Sequence, residues 1–251
     1  MNTASLPADL VEAARSARRV AALTGAGVSA ESGIPTFRDA QSGMWAKHDP
    51  MQLASPEGFA DDPALVWKWY AERRRMLAGA APNPAQCALA RLQQQVENFT
   101  LITQNVDGLH ARAGSTEVIE LHGNIGRNVC SKTGRRIDED WIVRHADSTP
   151  PPSPFDPEGL ARPDVVWFGE MLDETVLEAA FAAAEACELM IVAGTAGAVQ
   201  PAASLPAIAR ERGAVVIDVN PVAGEIARIA DWHLEGPASE WLPRLAEALT
   251  A

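Results

Sequence analysis

At 251 residues the chain is long enough for one large α/β domain or for a core with a small lobe, and no second full domain is required. Its 21 Lys and Arg against 33 Asp and Glu give a formal net charge of −12, which argues against a general affinity for nucleic acid or anionic membrane surfaces. Three cysteines, Cys87, Cys130 and Cys187, are odd in number and widely separated, which excludes a disulfide framework and a Cys-x-x-Cys pair.

The N-terminal stretch carries Asp9 and Glu12 within an Ala-rich amphipathic helix over Leu6 to Ala17, and it lacks the basic n-region and apolar core of a signal peptide. Nothing later offers about 18 uninterrupted apolar residues, so a cytoplasmic protein without membrane contact is the expectation. Apolar and β-branched runs then recur at Arg18 to Thr24, Phe99 to Thr103, Glu117 to Leu121, Val165 to Phe168, Leu189 to Ala193 and Val215 to Val219, and most read as buried strands. Helical patterns over Asp173 to Ala186 and Ala202 to Arg212 lie between strands, and a closing helix runs from Ser239 to Leu249. This alternation predicts an α/β fold, a Rossmann-like parallel sheet with helices on both faces.

Two stretches interrupt the alternation. The first, about 43 to 85, carries Trp67, Trp69 and Tyr70 on a helix opened by Asp62 as cap and Pro63 in its first turn. The second, about 127 to 163, is crowded with charge and proline and too poor in apolar residues for a core of its own. Together these insertions predict a small lobe, leaving 1 to 42, 86 to 126 and 164 to 251 as the large one.

The first strand runs into Gly25-Ala26-Gly27-Val28-Ser29-Ala30, a G-x-G-x-x-A turn of the kind that lets a backbone approach a pyrophosphate. A dehydrogenase would continue into a long helix and a second strand ending in an acid about 20 residues on. Here Gly33-Ile34-Pro35 stops the helix within about two turns, so Ile34 to Asp39 is expected to fold as a loop over the bound group. Polar residues collect where the other strands end: Thr103-Gln104-Asn105-Val106-Asp107, His122-Gly123-Asn124, Gly194-Thr195-Ala196-Gly197 and Asp218-Val219-Asn220. In an open α/β sheet that edge is where ligands sit. His122 directly follows a strand, where a neutral imidazole can act as a base; a structural histidine is the plain alternative. His48, His110, His145 and His233 are assigned no chemistry.

With these residues in place the chain resembles the sirtuins. The run Gly25 to Asp39 matches the family's longest signature, and matches continue at Gln104 to Asp107, His122-Gly123, Phe168-Gly169-Glu170 and Gly194-Thr195, in order along nearly the whole chain. The resemblance implies NAD-dependent removal of acyl groups from protein lysines, yielding nicotinamide, O-acyl-ADP-ribose and free lysine, with NAD as co-substrate. It places Gly25, Ala26, Gly27, Ser29 and Arg38 along the phosphate and ribose path. Phe37 shields the reacting ribose, Ile34 and Asp107 hold the carboxamide, and Asn105 orders the ribose and a water. Gln104, Gly194, Thr195, Asn220 and Ala238 complete the cofactor contacts. His122 would take a ribose hydroxyl proton after the acyl oxygen attacks the sugar. Val166, Phe168, Gly169 and Glu170 would hold an acyl-lysine peptide as an added strand.

Tyr70 and Arg73 stand three residues apart on one helix face, where phenol and guanidinium can point at one anion. Tyr-x-x-Arg resembles the signature of the desuccinylating branch, so succinyl and malonyl groups are expected substrates beside acetyl. The alternative for Arg73, Arg74 and Arg75 is a solvated basic face. Sirtuins usually carry two Cys-x-x-Cys pairs holding one zinc. Here Cys130-Ser131-Lys132-Thr133 is followed by no second pair, so no metal is expected, and Trp141, Ile142 and Pro150 to Pro157 are left to hold the lobe by packing. Ala196 stands where the family usually has Ser, removing one hydrogen bond to the cofactor worth about 1 kcal/mol. Other readings are an NAD glycohydrolase or ADP-ribosyltransferase and, with less support, a non-catalytic NAD or ADP-ribose sensor.

Overall fold

The computed structural model describes residues 5–34 and 49–250. Nine strands are formed: β1 (Arg19–Thr24), β2 (Asn98–Thr103), β3 (Val118–Glu120), β4 (Gly123–Cys130), β5 (Arg136–Ile137), β6 (Ala161–Val165), β7 (Leu189–Ala193), β8 (Val215–Asn220) and β9 (Trp232–Glu235) among the described residues. The α-helices are α1 (Ala8–Ser16), α2 (Gly27–Ala30), α3 (Pro50–Leu53), α4 (Pro56–Asp61), α5 (Pro63–Gly79), α6 (Pro84–Gln95), α7 (Leu109–Arg112), α8 (Glu139–Arg144), α9 (Glu174–Ala186), α10 (Leu205–Glu211) and α11 (Ala238–Thr250).

Six strands form one parallel sheet in the order β3-β2-β1-β7-β8-β9. The chain reverses its direction of strand addition between β1 and β7, and the crevice at such a switch point is where α/β sheets bind ligands. β1 and β7 are buried along almost their whole length, as continuous apolar runs in a covered parallel sheet require. One face packs under α1, α6 and α11 through Leu10, Leu89, Leu92, Leu101, Leu242 and Leu245. The other packs under α9 and α10 through Leu23, Met190, Ala180, Ala184, Leu205 and Val216.

A second, antiparallel sheet of three strands has the order β5-β4-β6. Val165 to Phe168, expected as a strand beside the others, is different: only Val165 is in a strand, the end of β6, and Val166 onward is irregular. β3 is half-buried at the sheet edge rather than fully buried. The helix expected to start at Asp62 does so, with the Asp62 carboxylate accepting the Leu65 N–H at 2.9 Å. It carries Val66, Trp69 and Tyr70 into a separate apolar cluster with Leu53, Phe59, Ile125 and Trp167. A smaller cluster joins Cys130, Ile137, Ile142 and Ala161 to Trp67, Trp141 and Phe155, and the Trp141 indole N–H is donated to the Pro152 carbonyl at 2.8 Å. No helix among the described residues is long and apolar enough to cross a membrane.

Candidate active site

The glycine-rich turn leaves β1 at the switch point and meets the turn that leaves β7. Gly25 donates its N–H to Ala193 at 3.0 Å and Gly27 donates to Gly194 at 2.8 Å. A Cβ on Gly25 would lie 2.7 Å from the Thr195 Cβ, and one on Gly27 2.8 Å from the Gly194 Cα. Gly194 itself has φ +63°, and a Cβ there would stand 2.3 Å from the Val28 nitrogen. Two backbones thus touch with no space for side chains, and this contact is a reason for glycine at all three positions beyond approach to a ligand. α2 ends after one turn at Ala30, as the Gly33-Ile34-Pro35 sequence implies. Ala26 is exposed at the turn, and Ile34 is half-buried with its N–H on the Ser29 carbonyl at 3.3 Å. Phe37 and Arg38 lie outside the described residues.

The loop after β2 packs into this turn. Asn105 is 8% exposed, and its side-chain NH₂ donates to the Gly25 carbonyl at 3.0 Å and the Ser29 hydroxyl at 3.2 Å. The Ser29 hydroxyl donates to Asp107 at 2.7 Å, and the other Asp107 oxygen accepts the Leu109 N–H at 2.8 Å. Gln104 donates to the Thr195 hydroxyl at 3.0 Å. Asn220, at the end of β8, donates to the Thr195 carbonyl at 3.3 Å and to the buried Asp218 carboxylate at 2.6 Å. Gly25, Gly27, Ser29, Gln104, Asn105, Asp107, Gly194, Thr195 and Asn220 are thereby brought to one sheet edge. Ala238 is apart from this network, 4% exposed in the core at the start of α11.

His122 stands between β3 and β4. Its Nδ1 lies 2.9 Å from the Gln104 carbonyl oxygen, an atom that can only accept, so Nδ1 carries the proton and Nε2 keeps a lone pair in the neutral ring. Burial lowers its pKa below the usual imidazole value, opposed by the hydrogen bond to Gln104, so the neutral form is the favoured one. A part-exposed imidazole with a fixed tautomer is equipped to accept a proton.

The His122 carbonyl accepts the Val166 N–H at 3.0 Å, which ties the backbone at His122 to the segment expected to receive a peptide. That segment is already occupied with its own bonds. Phe168 donates its N–H to Ala54 at 2.9 Å, Trp167 to a Glu170 carboxylate oxygen at 2.8 Å, and Glu170 to Trp167 at 3.0 Å. Arg162 grips both Glu170 oxygens at 2.5 and 2.9 Å. Burial would raise the Glu170 pKa, but this arginine and the Trp167 N–H hold it below the usual carboxylate range. Glu170, expected among peptide contacts, therefore closes a local loop. Phe168 is 44% exposed beside Gly169, and Val166 is half-buried.

Beyond Val166, the Trp167 indole N–H is donated to the Tyr70 hydroxyl at 2.8 Å, and Phe59 packs on the same indole at 5.3 Å between ring centroids. The Arg162 guanidinium covers its face at 3.4 Å. Tyr70 is buried, and burial pushes its phenol up to about 12, so it stays protonated with a hydrogen to donate. The three arginines diverge instead of forming one solvated face. Arg74 bonds the Ile125 carbonyl at 2.6 Å and Asn128 at 2.7 Å, and Arg75 pairs with Glu72 near the surface. Arg73 lies half-buried over the Trp69 ring at 4.7 Å, its pKa lowered by burial and raised only by Tyr70, and among the described residues it has no carboxylate partner.

Among the described residues, no group of three or more His, Cys, Asp or Glu stands where it could hold a metal ion. Around Cys130, a Cβ on Gly159 would lie 2.9 Å from the thiol sulfur, 3.0 Å from the Ser153 Cβ and 3.2 Å from the Asp156 Cβ, so two turns converge there. Ser153 already accepts the Phe155 N–H at 3.1 Å and Asp156 the Glu158 N–H at 2.9 Å. Burial would raise the Cys130 pKa, but donors from Ser153, Thr133 and Lys132 hold it lower. One sulfur with hydroxyls and an engaged carboxylate does not make the closed four-ligand site of structural zinc.

Asn83 and Gln86 belong to the site and escaped the sequence reading. Asn83 caps α6, donates its side chain to the Val28 carbonyl at 2.8 Å, and forms a capping box with Gln86, whose NH₂ reaches the Ser29 hydroxyl at 3.1 Å. The signal was legible: Asn-Pro-x-Gln before an apolar run is a helix start.

The Sir2 family model matches residues 25–201. NAD-dependent protein deacylase 1 of Pseudomonas aeruginosa is 48% identical over 94% of this chain and 96% of its own. The NAD-dependent protein deacylase of Aeropyrum pernix is 49% identical over 92% of this chain and 93% of its own. Among solved structures, a Sir2 homologue in complex with NAD superposes with a TM-score of 0.89 at 42% identity, covering 99% of this chain and 96% of that one. A Sir2 protein with a p53 peptide and NAD⁺ gives a TM-score of 0.83 at 31% identity over 96% and 97% of the two chains. The chain belongs to the Sir2 family, the sirtuins.

Proposed function

We propose that this sirtuin removes acyl groups from protein lysine side chains with NAD as co-substrate, and that succinyl and malonyl groups are accepted along with acetyl. The single observation that carries the reaction is the imidazole of His122, fixed as a base by the Gln104 carbonyl, on a residue whose backbone carbonyl accepts the N–H of Val166 in the segment proposed to receive the peptide. Gly25, Ala26, Gly27, Gln104, Gly194, Thr195 and Asn220 would line the dinucleotide, with Ile34 and Asp107 toward the carboxamide. NAD supplies an activated sugar once nicotinamide departs.

The residues divide the work. Asn105 spends both amide hydrogens on Gly25 and Ser29, so its carbonyl oxygen is left to accept from a sugar hydroxyl or a water. Asn220 spends its NH₂ on Thr195 and Asp218 in the same way. His122 then takes a hydroxyl proton at Nε2. Peptide contacts come from Val166, Phe168 and Gly169 through main-chain carbonyls and the exposed Phe168 ring.

Support for acidic acyl chains comes from Tyr70 and Arg73. A half-buried guanidinium with no described carboxylate partner stands beside a phenol that accepts from Trp167 and, among the described residues, donates to no partner, and a carboxylate answers both. We assign the small lobe to about 43 to 85 and 127 to 163, so that the acyl pocket lies where it meets the large one. The test is mass spectrometry of acetyl- and succinyl-lysine peptides incubated with the protein, with and without NAD. Free lysine with an O-acyl-ADP-ribose product is expected. Sugar transfer to water alone would instead make the protein an NAD glycohydrolase.

A further inference from the structure

Gln86 is fully buried at the third position of α6, and its two amide atoms face opposite kinds of partner. Its oxygen accepts the Asn83 backbone N–H at 2.8 Å and the Ser32 hydroxyl at 3.3 Å. A backbone N–H can only donate, so this end is the oxygen and the end facing Ser29 at 3.1 Å is the NH₂, which can only donate. The Asn105 amide is fixed by the same reasoning, because its nitrogen faces the Gly25 carbonyl.

The Ser29 hydroxyl therefore receives two hydrogen bonds, from Gln86 and Asn105, and its one proton goes to Asp107. Each bond in the set has one allowed direction. From this we infer that Gln86 is a positioning residue for the reaction: by filling one lone pair of Ser29 it commits the serine proton to Asp107 and holds the Asn105 carbonyl oxygen toward the cleft. The inference rests on the cleft being the NAD site. An amide does the task without titrating, so the direction of the network is the same at every working pH. Asp107, reached through Ser29, is the titratable group in this set, and His110 is within electrostatic reach of Asp107. Asn83, Ser29, Ser32 and the Val28 carbonyl are neutral.

Two variants test this. Gln86→Met keeps the volume and removes the donor; kcat should fall about tenfold, the order of losing one hydrogen bond and loosening a second, while KM for NAD changes by less than about twofold. Gln86→Glu keeps the shape and adds a titratable end. Protonated, that end donates to Ser29 as the amide does; ionised, it competes with Asp107 for the serine proton. The ratio of variant to wild-type kcat should therefore fall at least about tenfold as pH rises from 5.5 to 8, a limb that loss of stability alone does not produce. Melting temperatures at each pH separate the two causes. Wild-type kcat in Gln86→Met, or a flat ratio across pH in Gln86→Glu, overturns the inference. Should the wild type bind NAD and release no lysine, the deacylase reading fails on its own, and the same pH limb is then sought in NAD affinity.

Discussion

Arg73→Met separates acidic from neutral acyl groups. The guanidinium sits half-buried over Trp69 with no described carboxylate near it, and Met keeps most of its apolar stem in place. A bidentate contact to a succinyl carboxylate comprises two charge-assisted hydrogen bonds of roughly 1.5–3 kcal/mol each. Discounted for solvent at a half-open site, about 3–4 kcal/mol remains, which at about 1.4 kcal/mol per tenfold is a loss of roughly 10² to 10³ in kcat/KM for desuccinylation. An acetyl group offers no carboxylate, so removing the cation should change deacetylation by less than about threefold. The assay is initial rates on one peptide carrying succinyl or acetyl at the same lysine, read as the ratio of the two kcat/KM values. Because both rates come from one enzyme preparation, the small stability loss from the missing cation–π contact cancels. Arg75→Met, at an exposed arginine paired with Glu72, is the control and should leave the ratio alone. Parallel loss in both activities, or no loss in either, refutes the acidic-acyl reasoning.

The remaining predictions concern the frame. His110 is buried with its Nε2 2.9 Å from the Thr24 hydroxyl, and burial, against the pull of Asp107, takes its pKa down to about 4. The unfolded chain takes up this proton first, so stability present above about pH 6.5 falls as pH drops toward 4 and then levels, a loss on the order of 3 kcal/mol; urea melts at pH 7 and 4.5 should show a smaller difference for His110→Gln than for wild type. Gly194→Ala forces a side chain into left-handed backbone against Val28, costing at least about 2 kcal/mol and about 4–8 °C of melting temperature; a variant that melts as wild type and keeps its NAD-induced thermal shift contradicts the turn-on-turn packing. Dialysis against a chelator should leave the melting temperature unchanged, because the Cys130 sulfur is already engaged by the Ser153 and Thr133 hydroxyls and the Lys132 and Thr133 backbone N–H groups; about one zinc per chain, with a melt several degrees lower after its removal, would refute this.

The parallel sheet was legible because its strands are buried on both faces and read as unbroken apolar runs, such as Leu189 to Ala193. The antiparallel strands were not. β4 runs Gly-Asn-Ile-Gly-Arg-Asn-Val-Cys, half-buried and broken by a bulge between Asn124 and Asn128, so neither period nor hydrophobicity marks it. β9 is only four residues long. At the site, Gly25 to Ser29, Gln104 to Asp107 and His122 announced themselves as polar residues at strand ends, a property of topology that alternation reveals. Glu170 and Gln86 did not, because what each does depends on a partner's orientation: Arg162 lies eight residues away in sequence and Ser29 fifty-seven. Sequence spacing between separate elements, or along irregular backbone, carries no such information.

The ring of contacts around Trp167 also bears on how this protein can diversify. Tyr70 needs the indole proton, Arg162 rests on the indole face while grasping Glu170, and Glu170 in turn secures the Trp167 amide. Altering any one member strands its neighbours, so this cluster is inherited as a block. Arg73 meets that block through the Trp69 ring and by its charge at Tyr70 but donates to none of its members, so it can be exchanged singly, and in the proposed acyl site it is the position where a descendant would acquire a new preference.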